Sequence, residues 1–204
     1  VGGLQKYSIA FADLSAKIPE TVSFQEAATV PVTALTVSAA FHALGIQWPR
    51  IPRDKTSDEP ILVWGGGSGV GRTAIAFLKL AGFDNIITTA APKRTEDLLE
   101  IGARVVIDYR DDEVVRKLLI AKGTHPLLKA IDAVCKDGSV DCIAQVMNIG
   151  GKIACSLIPD RTDYDEHEIE AFFVQCLTFH DVCIHARTAS TSINENRPLE
   201  RIHI

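Results

Sequence analysis

Gly66, Ser68, Gly69 and Gly71 lie close together in the stretch PILVWGGGSGVGRTAIAFLKLAG (residues 60–82), and residues this small at this spacing suit one kind of chemistry, the binding of a phosphate by backbone amides. A turn that opens a helix leaves its first N–H groups unpaired and aimed at one point, backed by roughly half a unit of positive charge from the helix dipole. Gly66, Ser68 and Gly69 let the backbone approach a pyrophosphate, and Gly71 lets the helix pack closely on the strand before it. The spacing matches Gly-x-Gly-x-x-Gly except that Ser68 occupies the second glycine position. Read as an NTPase loop, GGSGVGRT (66–73) fails at Arg72, where a lysine must reach the β- and γ-phosphates. A glycine-rich connection that binds nothing is the third reading, and the flanking pattern opposes it. On the dinucleotide reading, a side chain added at Gly69 or Gly71 is expected to block the cofactor while the domain still folds.

That flanking pattern is strand, turn, helix. Ile61, Leu62, Val63 and Trp64 form an apolar run bounded by Pro60 and Gly65, as in a buried parallel strand. Ala74, Ile75, Phe77, Leu78 and Ala81 recur at helical spacing, and Gly82 stands where the helix should stop. Further strands are predicted at Asn85–Ala90, Arg104–Tyr109, Lys129–Val134, Lys152–Leu157 and Val182–His185. Helices are predicted at Lys93–Ile101, Asp112–Ala121, Ser139–Met147 and Asp165–Leu177. The alternation demands right-handed crossovers, hence an α/β fold with a doubly wound parallel sheet of the Rossmann type in strand order 3-2-1-4-5-6. Ahead of it lie a short strand at Gly3–Ile9 and a helix running to Gly45. Ser23 and Glu26 have capping-box spacing at that helix's start, Val22 is placed to staple against Ala27, and Pro31 is expected to break or kink it. Gln47–Glu59 reads as a polar, proline-punctuated loop.

The composition, 47% hydrophobic over 204 residues, can bury one substantial core. A net charge of −5 without a lysine and arginine cluster argues against a nucleic-acid partner. No run approaches the ~18 apolar residues of a membrane span, and no basic and then hydrophobic leader opens the chain, so no membrane partner and a cytoplasmic location are expected. Cys135, Cys142, Cys155, Cys176 and Cys183 are never spaced as C-x-x-C and are expected to be buried thiols rather than disulfides or metal ligands. The histidines are scattered, so no metal site is expected.

In a dinucleotide fold an acidic residue at the end of the second strand holds the free ribose 2′-OH. Here that end reads TTAAPKR (88–94), with Thr88, Thr89, Ala90 and Ala91 followed by Lys93 and Arg94. Two cations stand where a 2′-phosphate would lie and no carboxylate repels it, which favours NADP(H) over NAD(H).

The strings GGLQKYSI, KIPETVSFQEAATVPVTALT, VWGGGSGVG, TTAAPK, LLEIGARVVIDYRDD and GGKIACSL, in this order and spacing, resemble the medium-chain dehydrogenase/reductases. Within that family the zinc-independent quinone oxidoreductases and the fungal enoyl reductases acting in trans on polyketide synthases are the most similar branch. The resemblance implies cofactor contacts at Ser68, Gly69, Val70 and Gly71 for the phosphates and at Ala91, Pro92, Lys93 and Arg94 for the 2′-phosphate, with Ala91 replacing the family's usual serine. It also implies Tyr109 after the third strand, Ser156 and Leu157 beside the nicotinamide, and a substrate side at Thr33, Thr36 and Ala40. It implies NADPH-dependent hydride transfer to an enoyl or quinone-like acceptor, a small or carrier-bound acyl substrate, a polyketide synthase as partner, and a monomer or homodimer. Residues 1–22 are then expected to be the last strand and linker of a GroES-like catalytic domain, 23–187 the NADP-binding domain, and 188–204 a tail leading back to that domain. Its catalytic side chains lie outside this sequence, so the expectation is cofactor binding with poor turnover. A cofactor-holding module without turnover is the alternative. No tyrosine is followed by lysine four positions on, which sets short-chain reductase chemistry aside.

Overall fold

The computed structural model describes residues 6–7, 12, 15–47, 56–136, 138–159 and 168–174. The chain divides into two compact units, Val1–Pro31 and Val32–Ile204, and the sheet lies in the second. Its strands are β1 (Ile61–Trp64), β2 (Ile86–Thr89), β3 (Val105–Ile107), β4 (Lys129–Asp132), β5 (Lys152–Cys155) and β6 (Glu170–Phe173). They pair in parallel in the order β3-β2-β1-β4-β5-β6, the doubly wound order expected. The order reverses at β1, which pairs with β2 on one side and β4 on the other, so the crevice above its carboxyl end is the place where such sheets bind ligands.

Each strand sends alternate residues into one of two cores, because side chains on a strand point to opposite faces. Leu62, Trp64, Ile87, Ala130, Ile153 and Cys155 enter one core, covered by α4 (Val114–Lys122) and α5 (Ser139–Val146). Ile61, Val63, Ile86, Ile131 and Ala154 enter the other, with Val37 and Phe41 of α1 (Phe24–Ala43), Ile75 and Leu78 of α2 (Gly69–Ala81) and Leu98 of α3 (Thr95–Glu100). Burying a residue such as Ile61, Leu62 or Ile75, each 0% exposed, contributes about 1.5–3 kcal/mol. Strands hydrophobic on both faces can lie only under two layers of helices, and this is why β1 reads as an unbroken apolar run.

The structure departs from the sequence reading at several places. The sixth strand is Glu170–Phe173, inside the segment read as the helix Asp165–Leu177, while Val182–His185 lies outside the described residues. Around it Ile169, Ala171 and Val174 are buried, and parallel pairing with β5 outweighs a helical pattern of similar quality. The strand expected at Gly3–Ile9 falls outside the described residues except for Lys6 and Tyr7, which form a bend. α1 runs through Pro31 without a break, since proline's φ suits a helix and only one hydrogen bond is lost. Its capping box is formed as expected. The Glu26 carboxylate accepts from the Ser23 amide at 2.9 Å and hydroxyl at 2.7 Å, the Ser23 hydroxyl accepts from the Glu26 amide at 3.2 Å, and the Ser23 hydroxyl bond lowers the Glu26 carboxyl. Among the described residues no helix is long and apolar enough to cross a membrane.

Gly71 and Gly69 prove to have different duties. A Cβ at Gly71 would stand 2.3 Å from the Gly65 carbonyl oxygen and 2.8 Å from the Gly66 Cα, both backbone, whereas one at Gly69 would meet only the Thr33 methyl at 3.3 Å. The expectation that both positions tolerate a side chain is therefore corrected for Gly71, where the helix and the strand end occupy the space. Gly71→Ala should lower the free energy of unfolding in urea by about 1–3 kcal/mol, the range for overpacking. Gly69→Ala should stay within about 0.5 kcal/mol of the parent, as ordinary surface changes do.

Candidate functional site

The turn between β1 and α2 is built from both sides. Gly65 leaves β1 with φ +80°, a left-handed conformation suited to glycine, and a Cβ there would strike Val134 Cγ2 at 2.3 Å. Thr89 of β2 then grips the turn twice, its hydroxyl accepting from the Gly65 amide at 3.0 Å and its carbonyl from the Gly66 amide at 2.9 Å. Thr88 donates its hydroxyl to the Val63 carbonyl at 2.7 Å and lies where a Gly66 side chain would have to be. Thr88 and Thr89, which in the sequence mark only the absence of an acid, thus also build the turn. Their second role could have been read from two hydroxyls at the buried end of a strand, since buried hydroxyls must find partners.

Ser68 is the N-cap of α2, its hydroxyl oxygen accepting from the Gly71 amide at 3.0 Å while its carbonyl accepts from Arg72 at 2.9 Å. The hydroxyl proton of Ser68 stays available to a ligand. Among the described residues the amides of Gly69 and Val70 have no acceptor, and Gly69 is exposed. Two free amides, a hydroxyl and a helix dipole at one point could seat an anion. Arg72 turns away to Asp97, 3.5 Å off, which is no position for the lysine of an NTPase loop.

The expected 2′-phosphate segment lies beside this seat. Ala91, Pro92, Lys93 and Arg94 follow β2 as a linker residue and one 3-10 turn, and all but Ala91 are exposed. The Arg94 stem passes over the turn, with Cγ 3.5 Å from where a Cβ of Gly67 would be, and its guanidinium lies 3.4 Å from Asp97. Lys93 has no ion pair among the described residues. Tyr109 stands past the end of β3, 47% exposed, with the Arg110 guanidinium 5.6 Å over its ring. Arg110 grips Asp108 at 3.0 and 2.9 Å, and this bond holds the Asp108 carboxyl below its ordinary range.

On the other side of β1, the ends of β4 and β5 are joined through Asp132, a residue that no sequence motif singles out. Its carboxylate is buried and accepts from the amides of Val134 at 2.9 Å and Cys135 at 2.8 Å and from the Ser139 hydroxyl at 2.5 Å. The Asp132 carbonyl accepts from the Ser156 amide at 2.9 Å, and the Cys135 sulfur accepts from the Leu157 amide at 3.3 Å. Cys135 has φ +52°, so its backbone is held in a conformation that only these bonds explain. The Cys155 thiol is raised by its hydrogen bond with Cys135 and by burial, which keeps it neutral, and the same bond lowers Cys135. Ser156 and Leu157 are thus fixed at the carboxyl edge of the sheet, Leu157 with 48% of its surface exposed.

Of the expected substrate side only Thr33 reaches the turn. Thr36 and Ala40 are buried, and the Thr36 hydroxyl is spent on the Val32 carbonyl at 2.8 Å, so both support the packing of α1 rather than offering a surface to an acceptor. Among the described residues no group of three histidines, cysteines or acids could hold a metal ion, and Cys135 and Cys155 are buried thiols.

The fold and this crevice define a dinucleotide-binding domain, and comparison with known proteins narrows the class. No protein-family model matches the chain. It is 35% identical over 139 residues to the trans-enoyl reductase tazE of Aspergillus terreus, a match covering 67% of this chain and 41% of that protein. It is 36% identical over 141 residues to the trans-enoyl reductase TOXD of Cochliobolus carbonum, covering 68% of this chain and 46% of that one. The chain spans about half the length of the curated relatives it matches. In fold it is similar to the CurK enoyl reductase, with a TM-score of 0.66 at 21% identity over 79% of this chain and 47% of that structure. It is likewise similar to Escherichia coli quinone oxidoreductase complexed with NADPH, with a TM-score of 0.63 at 21% identity over 79% of this chain and 49% of that one. The chain belongs to the medium-chain dehydrogenase/reductase family, whose members use NAD(P)H.

Asp132→Ala should orphan the amides of Val134 and Cys135 and cost about 2–6 kcal/mol, at about 1–3 kcal/mol for each. Asp132→Asn, whose oxygen can still accept both, should cost much less. Burial is the main cause that raises the Asp132 carboxyl above its ordinary 3.8, although its hydrogen bonds oppose it. A raised acid contributes stability that is fully present below the unfolded value and lost as pH rises through the folded one. The stability gap between parent and Asp132→Asn should therefore drift with pH in the window just above 3.8, in the parent's favour as pH falls, when urea midpoints are compared. Equal losses for Ala and Asn would contradict this assignment.

Proposed function

We propose that the chain is the NADPH-binding part of an oxidoreductase that reduces an enoyl or quinone-like acceptor, and within that class an enoyl reductase of polyketide biosynthesis. The observation that carries this reading is the pairing of a free-amide anion seat with a β2 end that lacks an acid and is followed by Lys93 and Arg94. The names of relatives such as tazE and TOXD support the enoyl acceptor and a carrier-bound acyl substrate. Residues 23–187 are the cofactor domain in this proposal, a polyketide synthase is the proposed partner, and the protein acts as a monomer or homodimer.

The residues present fit the cofactor. Gly69 and Val70 amides with the Ser68 hydroxyl would hold the pyrophosphate, and Lys93 and Arg94 the 2′-phosphate, while Ala91 supplies no hydroxyl to it. Tyr109 offers a ring to the adenine side, and Ser156 and Leu157 form the edge where the nicotinamide ring would rest. When bound, the cofactor supplies the hydride. The chain's own contribution is to hold and orient it, and fixed orientation of reacting groups can lower a barrier by about 7–11 kcal/mol.

Titration of the 204-residue chain should show tighter binding of NADPH than of NADH. A charge-assisted contact contributes about 1.5–3 kcal/mol, so Lys93→Ala should weaken NADPH roughly ten-fold or more and leave NADH unchanged. Identical titration curves for the two cofactors would contradict the NADPH reading. Tight NADPH binding without oxidation by any enoyl thioester or quinone would favour the module without turnover.

A further inference from the structure

Two guanidinium groups beside the phosphate crevice converge on one carboxylate oxygen. Arg72 reaches Asp97 Oδ2 from the first turn of α2 at 3.5 Å, and Arg94 reaches the same oxygen from the turn after β2 at 3.4 Å. All three side chains stand partly in water, 38%, 48% and 49% exposed for Arg72, Arg94 and Asp97. An oxygen anion between two arginines has the chemistry of a bound phosphate oxygen, and guanidinium groups favour such acceptors. We propose that Asp97 is a specificity-determining residue that limits the preference for NADPH over NADH, its carboxylate drawing on the same two guanidinium groups that a 2′-phosphate would recruit.

The inference rests on the NADPH reading and deepens it. A 2′-phosphate arriving over Arg94 meets a cation already half neutralised and a negative charge close behind it. NADH carries a hydroxyl there and has no such conflict. Asp97 also lies in the first turn of α3, where the helix dipole favours an acid, so it has a local stabilising role as well. Lys93, without an ion pair among the described residues, is left as the cation that a 2′-phosphate meets first.

The test compares dissociation constants of NADPH and NADH for the parent, Asp97→Asn and Glu96→Gln in the full 204-residue chain, with melting temperatures recorded alongside. Asparagine keeps an acceptor oxygen for both arginines and removes only the charge. Glu96→Gln removes a neighbouring charge that has no ion pair among the described residues. Asp97→Asn should tighten NADPH about three-fold, the scale of an exposed ion pair, with NADH unchanged and with the gain shrinking at high salt. Adenosine 2′,5′-bisphosphate should follow NADPH, and AMP should follow NADH. A parent that binds both cofactors equally overturns this inference together with the NADPH reading. A parent that prefers NADPH with no gain in Asp97→Asn, an equal gain for NADH, or the same gain in Glu96→Gln overturns this inference alone.

Discussion

The approach of α2 to the end of β1 governs the site. Because Gly71 carries no side chain, the helix starts directly against the Gly65 carbonyl, and its first amides come out at the carboxyl edge of the sheet rather than beyond it. Moved outward by the width of a methyl group, the helix would lose the cap that Ser68 gives to Gly71 and the fit of Ala74 and Ile75 in the core. The candidate anion seat is thus a by-product of close packing, set by the core beneath it.

Rigidity on the two sides of β1 comes from different chemistry. Towards β2 it comes from threonine hydroxyls, with Thr88 and Thr89 bridging strand and turn through bonds of 2.7 and 3.0 Å. Towards β4 and β5 it comes from one buried carboxylate, which gathers the Val134 and Cys135 amides and the Ser139 hydroxyl. A buried acid is costly unless its oxygens are filled, and here both are, so Asp132 holds a left-handed Cys135 and through its sulfur the Leu157 amide. The ends of three strands are in this way tied into one edge on which a long ligand could lie.

Much of this was readable in the sequence, for physical reasons. Ile61–Trp64 is apolar on both faces because two helical layers cover it, and the glycines after it are spaced by the turn they must make. The sixth strand is hidden within Asp165–Leu177 because its apolar residues Ile169, Ala171, Phe172, Phe173 and Val174 suit helical and extended spacing alike, and pairing with β5 decides between them. The substrate side at Thr36 and Ala40 is implied by the resemblance alone, which carries positions across without saying whether they face a crevice or a core, and here both are buried. The bonds that join Asp132 to Ser139 and Cys135 left no signal, since a carboxylate three residues from a cysteine is ordinary spacing until the fold closes a turn around it. The pairing of Arg72 with Asp97, distant in sequence, belongs to the same category.

A cofactor held as proposed would lie across the carboxyl edge of β1, β4 and β5, and amide chemical shifts test that placement residue by residue. NADPH added to the ¹⁵N-labelled chain should move the amides of Ser68, Gly69, Val70 and Gly71, those of Lys93 and Arg94, and those of Ser156 and Leu157. Those of Val115 to Ile120 in α4 should stay in place. Saturating NADPH that leaves Gly69 and Val70 unmoved, or that moves α4 instead, would contradict it.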